Sequence, residues 1–238
     1  MGGHAFSAGL RPLVTPRMSR DIYRQVKDRC HSILRNLFLC VASPIEGPGK
    51  KDYGDIDILV ALEKRLIFPK APGDQADRPV RDVLNEVQTL LGAKAIILEP
   101  GGTSANLALP WPTDLLGSHF ERPAQEPWYI QVDIRLCKDI EDVQWRLFNQ
   151  AHGDIWNLLG STIRPFGLTV DDQALWLRIP EIEELDRKRA KVLLTRDPAE
   201  ILCFLGLEMD GFWEEPFSSI QDLFNCKREF PWPRNAVR

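Results

Sequence analysis

Leu39–Val60 reads LCVASPIEGPGKKDYGDIDILV, and it closes on an apolar run that carries Asp55 and Asp57. Side chains on a strand alternate between faces, so these two carboxylates share one face with Cβ atoms roughly 6.5 Å apart. That spacing lets both reach a pair of divalent cations about 3.5–4 Å apart. Ser43 stands twelve residues before Asp55, at the end of the short apolar strand predicted over Phe38–Ser43, with a loop over Pro44–Gly54 between. Further out, a second apolar stretch, YIQVDIRLC, holds a third acid, Asp133, between Val132 and Ile134. Acidic residues are depleted in strands. Three of them on one sheet face repel one another unless a cation neutralises them.

A strand ending in a small-residue corner with serine, a loop, Asp-hydrophobic-Asp-hydrophobic and a later in-strand acid together resemble the nucleotidyltransferase superfamily of the DNA polymerase β type. The resemblance spans roughly residues 20 to 136. The wider sequence, from GLRPLVTPRM to FLGLEMDGFWEEPF, resembles uncharacterised fungal proteins that carry this domain. The resemblance implies an α+β fold, a nucleotidyltransferase-like mixed sheet with helices on one side. It also implies transfer of a nucleoside monophosphate from an NTP, most economically ATP, to an acceptor. In that chemistry Asp55, Asp57 and Asp133 are the catalytic residues and the ligands of two Mg2+ (or Mn2+) ions. Asp133 can also take the proton of the attacking hydroxyl, and Ser43 bonds a β or γ phosphate. The family corner is usually Gly-Ser or Gly-Gly, whereas this chain has Ala42-Ser43.

Composition narrows the partners. The chain has 238 residues, 44% of them hydrophobic, and a formal net charge of -4. No global basic surface exists to hold long duplex nucleic acid by counterion release, so the expected acceptor is a small molecule, a protein or a short RNA end. Lys50 and Lys51, beside the motif strand, are the local positive charges available to a triphosphate. No apolar run reaches the 18 or so residues a membrane span needs, and residues 1–20 lack a signal-peptide core; the expected location is cytoplasmic or nuclear. Five widely separated cysteines read as reduced residues rather than as a disulfide or zinc framework.

Along the chain, residues 1–18 read as an irregular Gly/Pro-rich arm, 19–138 as the catalytic domain, and 139–238 as a mostly helical C-terminal part packed on it. Ser19 caps a helix with Ile22, Val26, Cys30, Ile33 and Leu37 at helical spacing. Asp77 is expected to cap a second helix ending at Gly92, and a hairpin joins strands 95–98 and 105–109 through Pro100-Gly101-Gly102. A Pro-rich loop fills 110–127. A second hairpin turns at Asp171-Asp172, a charged helix carrying Lys188 and Lys191 follows Pro180, and Asp197-Pro198 opens another helix. Trp111 is the candidate for stacking on a base, while Trp145, Trp156 and Trp176 fit core positions. Two other readings compete. One is a degenerate nucleotidyltransferase-fold protein that binds nucleotide or a partner without chemistry, which Ala42 favours and the three acids oppose. The other is a glycosyltransferase whose Asp-x-Asp holds a sugar nucleotide, a class that needs neither the serine corner nor the third acid.

Overall fold

Ser19 accepts a hydrogen bond from the Ile22 amide at 3.4 Å and opens α1 (Arg20–Leu34), which follows the two-residue β1 (Met18–Ser19). Tyr23, Val26, Cys30 and Leu34 recur at three- and four-residue spacing and are buried, so one stripe of α1 faces the core. The computed structural model describes residues 3–8, 12–71, 76, 78–112, 127–153, 155–186, 189–207 and 211–226, the last three as backbone only. The chain forms two compact units, Met1–Ser43 with Lys51–Val143, and Pro44–Lys50 with Gln144–Arg238.

In the first unit α1 is followed by β2 (Phe38–Ala42), β3 (Asp52–Tyr53), β4 (Asp55–Glu63), the single turn α2 (Lys64–Ile67) and α3 (Val80–Leu91). Then come β5 (Ala95–Leu98), β6 (Ser104–Pro110) and β7 (Tyr129–Leu136). The main sheet runs β2-β4-β7-β6-β5. It is mixed: β4 and β7 are parallel, and the other neighbours are antiparallel. Alternation sorts its faces. Ile56, Ile58 and Val60 of β4, Val132 and Ile134 of β7, and Leu107 of β6 join Val83, Leu84, Val87 and Leu91 of α3 and the α1 stripe in one buried cluster. Each such aliphatic side chain contributes about 1.5–3 kcal/mol on full burial, which holds both helices on one face and leaves the other to the odd-numbered residues of β4. Gly92 stops α3 in the left-handed conformation at φ 67°. The cap expected at Asp77 lies outside the described residues, and α3 starts after Pro79.

The second unit holds α4 (Ile140–Gln150), which begins in the first unit's span, then α5 (Ile155–Ile163), β8 (Leu168–Val170), β9 (Leu175–Arg178), α6 (Pro180–Glu183), β10 (Lys191–Thr195), α7 (Pro198–Phe204) and α8 (Ile220–Cys226). Strands β10-β9-β8 form an antiparallel sheet. Asp197 caps α7 through the Ala199 amide at 2.8 Å, as its sequence requires. The helix expected to carry Lys191 is only α6 long; Lys191 instead starts β10, and its Nζ lies 2.9 Å from Asp171 Oδ2. The run Val-Leu-Leu-Thr pairs with β9, and that pairing overrides the charged pattern before it. Lys188 lies outside the described residues.

Candidate active site

The parallel pairing of β4 and β7 sets the site. Its register places Asp57 directly beside Asp133 and Asp55 beside Gln131. Asp55 lies two residues from Asp57, so all three acids share the sheet face opposite the helices. Asp57 is exposed, and Asp55 and Asp133 are half-buried. On the far side of β7, Asn106 of β6 pairs with Asp133. A polar row therefore crosses three strands as Asp57, Asp133, Asn106.

The charge balance of this row is unfavourable as it stands. Burial first, and then the Asp57, Asp55 and Glu99 carboxylates, push the Asp133 carboxyl up to about 7, against the pull of its hydrogen bond from Gln131. The Gln131 amide nitrogen donates to both Asp133 oxygens, at 2.9 and 3.0 Å. Gln131 is 3% exposed, and its carbonyl oxygen accepts from the Ala5 amide at 3.0 Å. The Gly3 amide donates to Asp55 Oδ2 at 2.9 Å.

Hard oxygen donors on one face, with one of them driven toward its neutral form by burial and like charges, fit Mg2+ or Mn2+. Among the described residues no three His, Cys, Asp or Glu side chains already stand together as an ion cage. What the sheet supplies is the backbone register that sets Asp57 beside Asp133.

Ser43 follows β2, whose last residue, Ala42, pairs with Leu59. Because the two strands are antiparallel, the chain beyond Ala42 runs toward the Asp57 end of β4. The Ser43 hydroxyl lies 2.8 Å from His31 Nε2 on α1. Burial, and then Arg35 and Lys27, lower the His31 pKa to about 4 against the opposing effect of Asp28, so the imidazole is neutral at neutral pH. Lys51 is exposed. Lys50 is ion-paired to Glu46 at 2.6 Å and belongs with the second unit. Trp111 is 5% exposed and meets Trp128 edge-on within the core, so it is a packing residue rather than a base-stacking platform.

Sequence reasoning missed Gln131, Asn106, His31 and the arm. Gln131 was within reach, since alternation puts it on the face of Asp133. Asn106 is a lone polar residue in Ala-Asn-Leu-Ala-Leu, while the contributions of Gly3 and Ala5 are backbone amides that no residue type signals.

No protein-family model matches the chain, and no curated protein matches it. Solved structures do. Leishmania infantum polymerase β in its ternary P/T complex is 14% identical over 85% of this chain and 77% of that one, with a TM-score of 0.52. The same polymerase in its ternary gap complex is 13% identical over 84% and 71%, with a TM-score of 0.51. At such identity the likeness shows the fold alone, which is polymerase β-like.

Proposed function

We propose that this chain, having the polymerase β-type nucleotidyltransferase fold, transfers a nucleoside monophosphate from an NTP, most economically ATP, to an acceptor hydroxyl. The observation that carries the reading is the β4–β7 register, which sets Asp57 beside Asp133 with Asp55 on the same face. These three would hold Mg2+ or Mn2+. A cation bound there supplies charge neutralisation on the triphosphate and a lowered pKa for the attacking hydroxyl. Asp133, whose carboxyl titrates near neutrality, takes the proton of that hydroxyl.

Ser43 donates its hydroxyl to a β or γ phosphate oxygen. An ionised phosphate only accepts, so His31 must then be the donor to Ser43 Oγ, which selects the tautomer with the proton on Nε2. Lys51 adds positive charge for the triphosphate. The acidic balance of the chain directs the acceptor toward a small molecule, a protein or a short RNA end. Catalysis belongs to residues 19–138, with 139–238 as the accompanying part, in the cytoplasm or nucleus. No described helix is long and apolar enough to cross a membrane.

A binding-only role is favoured by one observation, Ala42 in the corner before Ser43, where a glycine would let the backbone come closer to a triphosphate. Thermal-shift measurements with the four NTPs, with and without Mg2+ or Mn2+, test both readings. Stabilisation that needs nucleotide and metal together, and is lost in Asp57→Asn, is expected; no shift with any NTP refutes both. Pyrophosphate release on adding candidate acceptors then separates enzyme from binder.

A further inference from the structure

The arm is held onto the acid-bearing face by more than the acids. Phe6 is buried against Ala108 and Tyr129, the Leu13 amide donates to Phe6 O at 3.0 Å, and the Tyr129 amide donates to Val14 O at 2.9 Å. Thr15 Oγ1 donates to Gly3 O at 2.9 Å, and Arg17 pairs with Asp52. These contacts fix where the Gly3 and Ala5 amides point, whatever the state of the carboxylates. Gly3 itself sits at φ 87°, and a Cβ there would lie 2.3 Å from Gly54 O, so the arm's backbone lies directly on the residue before Asp55.

Those two amides reach two of the three acids. One donates to Asp55 Oδ2. The other fixes the amide of Gln131 so that its oxygen faces Ala5 and its nitrogen faces both oxygens of Asp133. Asp55 and Gln131 are neighbours across the parallel pair, so the arm bridges the two strands that carry the acids. A carboxylate that swings freely loses rotamer freedom on binding an ion, whereas one already held by outer donors loses less. Outer partners of this kind typically change metal affinity by about 10–100-fold.

We infer that the arm at Gly3–Ala5 is part of the metal site, its amides and Gln131 orienting Asp55 and Asp133 for a divalent cation. The inference rests on the three-aspartate metal reading given above. Gln131 is here a positioning residue, because it acts through Asp133.

The test is Mn2+ binding to the full chain, followed by the electron paramagnetic resonance signal of free Mn2+, with unfolding by urea measured in parallel. Gly3→Val lifts the arm without touching an acid, Phe6→Ala loosens its anchor, and Gln131→Leu cuts the link to Asp133. Each is expected to weaken Mn2+ binding by on the order of 10-fold or more, with the Gly3→Val and Gln131→Leu losses less than additive because they lie on one chain of contacts. If the buried Gln131→Leu fails to fold, the two arm variants decide. Mn2+ affinity equal to or tighter than the parent's in both arm variants overturns the inference while leaving the metal site standing. A parent protein without Mn2+ binding that Asp57→Asn abolishes overturns the metal reading and this inference together.

Discussion

Replacing Asp133 with asparagine should stabilise the protein, and by an amount that depends on pH. The Asp133 carboxyl is moved from an ordinary 3.8 to about 7, which corresponds to about 4 kcal/mol of unfavourable ionisation in the folded state. The sign follows from linkage. The folded-state pKa lies above the unfolded one, so stability is fully present below about 4, declines as pH rises through about 7, and stays low above it. An asparagine at this position carries no charge and escapes that loss. Its amide keeps one oxygen that can accept from Gln131 and gives up the other of the two bonds, which takes part of the gain away. With partial exposure discounting the figure, Asp133→Asn should gain about 2–4 kcal/mol over the parent at about pH 8 and little at about pH 4. Urea unfolding across that range in the presence of a chelator measures it. Added Mg2+ should shrink the gap at high pH by stabilising only the parent. Parallel stability profiles for parent and variant would refute the argument that burial, with the neighbouring acids, disfavours the charged form of Asp133.

Other expectations concern separate parts of the chain. His31→Phe should weaken NTP binding by about tenfold, since it releases the Ser43 hydroxyl from a bond of ordinary strength; unchanged affinity by calorimetry would remove Ser43 from the phosphate site. His152, 1% exposed with its Nε2 2.9 Å from Phe212 O, has its pKa lowered by burial. The second unit should therefore lose stability as pH falls below about 6.5, where the unfolded imidazole takes a proton that the folded one refuses; His152→Gln should flatten that dependence in acid unfolding. Cys203 is exposed, while Cys30 is buried with its thiol pushed up to about 12 by desolvation. A native thiol titration should modify Cys203 before Cys30 and reach Cys30 only on unfolding. Gel shifts at about 150 mM salt, where long-range attraction is largely screened, should show no length-dependent binding to arbitrary duplexes.

The sheet strands and the two packing helices were legible because their periods are clean: Ile56, Ile58 and Val60 alternate with Asp55 and Asp57, and α3 buries Val83, Leu84, Val87 and Leu91. What alternation could not reveal is which strands pair. Asp57 beside Asp133 follows from a parallel register set between distant segments, and a single strand carries no mark of its neighbour. Strand β10 was hidden by the charges ahead of it, although Val192, Leu193 and Leu194 have the composition of a strand. The arm was illegible for a different reason. It acts through main-chain amides, which every residue except proline possesses.

Parallel neighbours also impose an order of events. A strand cannot turn directly into a parallel partner, so β4 and β7 meet only after α3, β5 and β6 have been laid down between them. During synthesis the first two acids leave the ribosome well before the third, and a nascent chain that ends before β7 carries Asp55 and Asp57 without Asp133. Closure of so long a loop is slow and costs entropy that only the finished sheet repays. The charge cluster therefore forms only once β7 has paired with β4. A Mg2+-dependent acceleration of refolding would be its kinetic signature, absent from the Asp133→Asn variant.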